Sequence, residues 1–130
     1  MKRILYIHHG GTLGGAPLSL LFLLQQLDRS RYDPIVLFLA DGPDEERFRA
    51  AGIESHVAND VSDFSQTELV WYGNDLCWQL PGKVLRFFPS VAAARRHLRY
   101  FKPDLVHLNS STLAPAAQAA YQVGTPIVWH

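Results

Sequence analysis

The chain has 130 residues, enough for one domain with a buried core, and its 48% hydrophobic and 18% charged content excludes a disordered polymer. Twelve Lys and Arg balance twelve Asp and Glu, so nothing in the charge calls for nucleic acid as a partner; the single cysteine, Cys77, excludes an internal disulfide and a cysteine-based zinc site. The apolar run after Lys2-Arg3 is too short for a signal peptide and no run approaches the roughly 20 apolar residues of a membrane span, so a cytoplasmic domain is the expectation.

In chain order, Ile4–Ile7 reads as a strand that feeds the turn Gly10-Gly11-Thr12-Leu13-Gly14-Gly15. The turn opens into Pro17–Leu27, a leucine-rich segment that reads as a buried helix. Ile35–Leu39, after Pro34, is a continuous apolar run of the kind found in strands covered on both faces. Pro43–Ala51 follows as a short helix with Asp44, Glu45 and Glu46 at its positive end and Gly52 beyond its last turn. Ile53–Val57 is a weaker strand. Residues 59–83 break the pattern with Phe64, Trp71, Tyr72 and Trp78 among polar residues, an insertion long for an unstructured connection and suited to a partly helical cap. Helical spacing then resumes at Val84, Phe88, Val91, Leu98 and Phe101, with Pro89 either kinking the helix or marking its start. Leu105–Leu108 is a strand, Leu113–Val123 an alanine-rich helix ended by Gly124, and Pro126–Trp129 a final strand.

This alternation predicts an α/β, Rossmann-like parallel sheet of about five strands, order 3-2-1-4-5, with helices on both faces. The switch point falls between the first and fourth strands, where ligands bind in such sheets. The glycine turn brings backbone N–H groups of a helix N-terminus to that edge, an arrangement suited to a phosphate. It is not the dinucleotide fingerprint, because Thr12 stands where the second glycine belongs, although Asp41 sits where a ribose-binding acid is expected. It is not a P-loop either, and Gly-x-Ser-x-Gly is absent.

Asn109-Ser110-Ser111-Thr112 follows the fourth strand and reaches the same edge. Ser111 or Thr112 can cap the next helix while Asn109 or Ser110 faces the cleft. His8, His9 and His107 also lie at strand ends, with no carboxylate or cysteine in a recognisable metal spacing. His9 suits a hydrogen bond to a hydroxyl-rich ligand, whereas His107 reads as a core histidine. The aromatic insertion and Arg86, Arg95, Arg96, Arg99 and Lys102 fit either an anionic, peripheral membrane contact or a solvated face beside a hydrophobic cap.

Three segments together resemble the amino-terminal domain of group 1, GT-B-fold glycosyltransferases: His8–Ala16 with Ser19-Leu20-Leu21, Lys102–His107 leading into Asn109-Ser110-Ser111, and Gly124–His130. The resemblance covers nearly the whole chain apart from the aromatic insertion; Pro17-Leu18 departs from the polar pair common in relatives. It implies a retaining transferase in which this domain mainly holds a hydroxyl acceptor; the membrane reading above allows that acceptor to be lipid-linked, and no cofactor or metal is expected. Gly14 and Gly15 would approach the diphosphate of a nucleotide-sugar donor, and Thr12, His9, Asn109 and Ser110 would orient hydroxyls. The donor-binding domain and its paired glutamates are absent from these residues, so the chain is expected to be the front part of a longer enzyme, inactive alone and open to self-association through an uncovered face. The competing expectation is a stand-alone nucleotide- or dinucleotide-binding module of Rossmann or flavodoxin type.

Overall fold

Lys2–His8 forms the first strand (β1), and its side chains divide between two cores by strict alternation: Ile4 and Tyr6 join one, Leu5 and Ile7 the other. The computed structural model describes residues 1–10, 14–64, 81–82 and 84–130. Thr12 in the middle of the glycine turn, and Trp71, Tyr72, Cys77 and Trp78 of the aromatic insertion, lie outside the described residues.

After β1 come α1 (Gly15–Gln25), β2 (Tyr32–Phe38), α2 (Pro43–Ala50), β3 (Glu54–Val57), α3 (Phe87–Phe101), β4 (Leu105–Leu108), α4 (Ala114–Val123) and β5 (Ile127–Trp129). Every strand pair is parallel and the sheet order is β3-β2-β1-β4-β5, the order the alternation predicts. Residues of α1 and α2 cover one face, where Leu20, Leu21, Leu24 and Phe48 pack on Ile4, Tyr6, Val36 and Phe38. Residues of α3 and α4 cover the other, with Val91, Ala94, Leu98, Ala116 and Ala120 on Leu5, Ile7, Leu37, Val106 and Leu108. A sheet buried on both faces explains why its central strands read as unbroken apolar runs.

Four local expectations are corrected. Strand β2 begins before Pro34, not after it: Pro34 pairs with Ile4, but β3 begins only opposite Ile35, so Pro34 lies where β2 is flanked on one side and its missing N–H is tolerated. Helix α1 is not buried all round. Pro17, Leu20, Leu21 and Leu24, at i, i+3, i+4 and i+7, face the sheet, while Phe22 is 62% exposed and Leu18 and Leu23 are also exposed. In α3 the core face is Val91, Ala94, Leu98 and Phe101 with Phe87 packed beside it; Val84 and Phe88 are exposed, because Pro89 stands in the first turn of a helix that starts at Phe87. Finally, no side chain caps α4. Leu113 is its N-cap, and Pro115 in the first turn removes one of the donors a cap would satisfy.

The amino-terminal edge of the sheet is tied by Asp104, whose carboxylate accepts hydrogen bonds from the Arg3 backbone N–H (2.8 Å) and Lys2 Nζ (3.0 Å). The Arg3 N–H bond and then Lys2 hold this carboxyl below its usual range. Asp104 therefore sets the register of β4 against β1, on the edge opposite the site described next.

Candidate functional site

At the carboxyl edge the sheet continues by one backbone bond beyond each strand. Leu39 N–H donates to the His8 carbonyl, Ala58 N–H to Phe38, Asn109 N–H to Ile7 and His130 N–H to Leu108, at 2.8–2.9 Å. These bonds fix the exit directions of β1 and β4, and with them His9 and Asn109 on either side of the switch point.

The start of α1 faces this edge. Intrahelical bonding begins with Leu18 N–H to the Gly14 carbonyl (3.4 Å), so Gly15 and Ala16 carry N–H groups without intrahelical partners and Pro17 carries none. No acidic residue stands in this first turn and no side chain caps it. The contrast with α2 is informative, since Asp44, Glu45 and Glu46 already neutralise that helix start. A Cβ placed on Gly15 would meet no atom of the described residues within 4 Å. Gly10 is different: its φ is +77° and a Cβ there would stand 2.6 Å from the Ala40 carbonyl oxygen. One glycine of the turn makes room for the protein's own backbone, while a side chain at the other would meet nothing among the described residues.

At the carboxyl edge of β1 and β4 lie polar groups that have no partner among the described residues. His8 is 1% exposed, and its Nδ1 accepts a long hydrogen bond from Gly10 N–H (3.4 Å), which assigns its proton to Nε2, buried and unpartnered. Burial, then the neighbouring His9, push the His8 imidazole down to about 4, so it is neutral at physiological pH. His9 is half-buried with its Nδ1 turned inward and unpartnered, its ring 4.3 Å from that of His8. The Asn109 Nδ2 is likewise buried and unpartnered. Ser110 Oγ is engaged with Thr112 Oγ1 (2.9 Å), and Trp129 Nε1 donates to the Ser110 carbonyl (2.7 Å), which pins the loop after β4 to β5. His107 sits half-buried against Tyr6, ring centroids 5.0 Å apart, and burial followed by His130 lowers its titration, as befits a core histidine. Asp41 is exposed, and one of its carboxylate oxygens accepts a hydrogen bond from Asn59 Nδ2 (2.8 Å).

Sequence reasoning missed Asp44. Among three acids in the first turn of α2, only this one is buried, at 2% exposed, because it lies four residues before Phe48 on the face that meets the sheet. That i, i+4 spacing was the available signal.

The fold and site thus define a class: a Rossmann-like domain with an unneutralised helix start and open backbone at its switch point. The family model for Glycosyltransferase Family 4 matches residues 13–130, and the chain belongs to that family. No curated protein sequence matches. Among solved structures, HepE from Anabaena, in complex with UDP-glucose, is similar at 23% identity and TM-score 0.64 over 100% of this chain and 29% of that one. MurG from Acinetobacter baumannii is similar at 19% identity and TM-score 0.68 over 100% of this chain and 35% of that one. A UDP-GlcNAc 2-epimerase from Neisseria meningitidis, bound to UDP-GlcNAc, has 16% identity and TM-score 0.59 over 99% of this chain and 32% of that one. The chain therefore spans about a third of the length of these proteins, and the likeness is one of fold, shared by enzymes of different chemistry. No helix among the described residues is long and apolar enough to cross a membrane.

Proposed function

We propose that this chain is the acceptor-side half of a GT-B glycosyltransferase that moves a sugar from a nucleoside diphosphate donor to a hydroxyl acceptor. The observation that carries the reading is the start of α1, where the Gly15 and Ala16 N–H groups have no intrahelical partner and no side chain among the described residues caps or neutralises them, in a chain of Family 4. As the sugar leaves, charge builds on the diphosphate, and Gly14, Gly15 and the adjacent Ala16 would stabilise it by N–H donors fixed before the reaction. His9, Asn109, Ser110 and Thr12 would orient hydroxyls of acceptor or sugar. The nucleotide itself would be gripped mainly by a second domain, since this half offers one wall of a cleft.

Calorimetry on residues 1–130 tests this. UDP-, GDP- and ADP-sugars are expected to bind more weakly than about 1 mM, roughly −4 kcal/mol, with no release of nucleoside diphosphate. Submicromolar binding of NAD or NADP would instead establish the stand-alone dinucleotide module, which Thr12 in place of the second fingerprint glycine disfavours. Turnover by this half alone would sink the two-wall reading.

Two partner readings accompany the proposal. Exposed Leu85, Arg86 and Phe88 would meet an anionic membrane carrying a lipid-linked acceptor, and the apolar surface of Val128 and Trp129 on β5, half exposed, would self-associate. Sedimentation with vesicles of anionic phospholipid reads the first, and light scattering across concentration the second. A chain that stays in the supernatant, or a mass that stays monomeric at high concentration, removes the corresponding reading.

A further inference from the structure

Residues 105–130 contain no Asp, Glu, Lys or Arg, so all twelve acids and all twelve cations of the chain lie before Leu105. That uncharged run supplies β4, α4 and β5, and part of it reaches the surface: Tyr121 is 78% exposed, and Gln118, Val128 and Trp129 are exposed as well. Surfaces that meet water carry charge, whereas the centres of packed interfaces are depleted of it. Large exposed rings on an uncharged helix and strand are the composition of a face that packs on protein.

The geometry of α4 agrees. Ala116, Ala119 and Ala120 are fully buried in the core. Ala114, Ala117, Gln118 and Tyr121, at i, i+3, i+4 and i+7, form a second stripe, which lines a groove of about 520 Å³ together with Ile127 and Trp129 of β5. Trp129 is a fixed wall, because its Nε1–H donates to the Ser110 carbonyl (2.7 Å). Gln118 and Tyr121 bring the one amide and the one hydroxyl among the lining side chains, too few to orient a small ligand. The alanines, by contrast, would let a second helix approach α4 to about 8 Å.

The handedness of the fold says where such a helix comes from. β4, α4 and β5 form a parallel βαβ unit that steps away from β1, with α4 on the face of Leu108 and Ile127. A further unit taking the same step through a right-handed crossover has its helix on that face, beside α4 and over Ile127 and Trp129, which is where the groove lies. Phe87, Ala114 and Trp129, at the starts of α3 and α4 and the end of β5, form the groove's end at the carboxyl edge, where a chain leaving β5 turns back. The similar solved structures, of which this chain spans 29% and 35%, contain ample polypeptide for such a unit.

We propose that the groove between α4 and β5 seats an α-helix of the same polypeptide, with an apolar and uncharged inward stripe, and that this helix leads to a sixth parallel strand beside β5. The added strand extends the carboxyl edge on the side of Asn109 and Ser110. A helix seated there serves a Rossmann-like sheet of any chemistry, so the seat stands apart from the proposed transfer.

The polypeptide of the whole reading frame, carrying Gln118→p-benzoylphenylalanine, is irradiated and digested for mass spectrometry. The cross-link is expected within one molecule, to a segment within roughly 30 residues after His130, the span of one βαβ unit. In a Cys77→Ser background, Gln118→Cys is expected to react with a maleimide about tenfold more slowly in that polypeptide than in residues 1–130, while Arg29→Cys, in the turn after α1, reacts alike in both. A cross-link to a second copy, to a more distant segment or to nothing overturns the proposal, as does equal labelling of Gln118→Cys in the two proteins. Slow labelling without turnover of any sugar nucleotide removes the transferase reading and leaves the seat. Turnover with the groove open does the reverse.

Discussion

Gly15→Ala is expected to leave stability within about 1 kcal/mol of wild type and to lower sugar transfer by the complete polypeptide on the order of 100-fold. Gly10→Ala is expected to do something different, unfolding the domain more easily by about 3 kcal/mol. The asymmetry follows from two local geometries. At Gly15 a methyl group meets no atom of the described residues within 4 Å, and alanine is the better helix former, so the described fold accepts it. On the proposed function, a methyl beside the Gly15 and Ala16 N–H groups would hinder the approach of the donor diphosphate to them. At Gly10 the left-handed backbone costs an L-residue roughly 1–2 kcal/mol by itself, and the new methyl also meets the Ala40 carbonyl, which belongs to the chain leaving β2 and cannot easily yield. Urea denaturation of residues 1–130 measures the stability arm. Nucleoside diphosphate release by the polypeptide of the whole reading frame, over a panel of sugar nucleotides, measures the other. A Gly15→Ala enzyme with full turnover would remove the anion-cradle reading, and a Gly10→Ala protein as stable as wild type would show that Ala40 gives way.

The same pair shows where sequence reading stops. Two glycine pairs flanking Thr12-Leu13 announce a turn that brings backbone near a ligand, but the letters are identical whether a glycine accommodates Ala40 or an open cleft. The sheet order was legible because each strand is a short apolar run bounded by a stop, and parallel βα units admit few topologies. Helix faces were less so. The leucines of α1 are continuous in sequence, yet a helix lying on one sheet can bury only one stripe, leaving Phe22 and Leu23 outward. In α3 the aromatic at Phe88 suggested the core face, while the small residues Ser90, Ala93 and Ala94 hold it, because close contact between α3 and α4 favours short side chains. Asp44 was legible only as one of three acids. Its i, i+4 spacing to Phe48 puts it on the buried face of α2, but only the packing of α2 on the sheet shows that the acid itself is covered.

Acidification is expected to destabilise the domain through His8. Its folded-state titration lies at about 4 against an ordinary 6.5, so between those values the unfolded chain binds a proton that the folded chain refuses. Stability from this residue is complete above pH 6.5 and declines as pH falls to about 4, a loss of roughly 3 kcal/mol. His107, lowered by burial and by His130, acts with the same sign, and Asp44, raised by burial, acts with the opposite one. His8→Leu separates them. It gives up the hydrogen bond from Gly10 N–H, about 1 kcal/mol at neutral pH, and should flatten the unfolding free energy between pH 6.5 and 4 relative to wild type. Urea denaturation at four pH values reads the difference in slope, and parallel slopes would refute the assignment. The consequence reaches the site, because His8 Nδ1 can accept from Gly10 only while the ring is neutral. Protonating it breaks the bond at the glycine whose conformation sets the turn, so transfer by the complete polypeptide should fall along the same acid limb as stability.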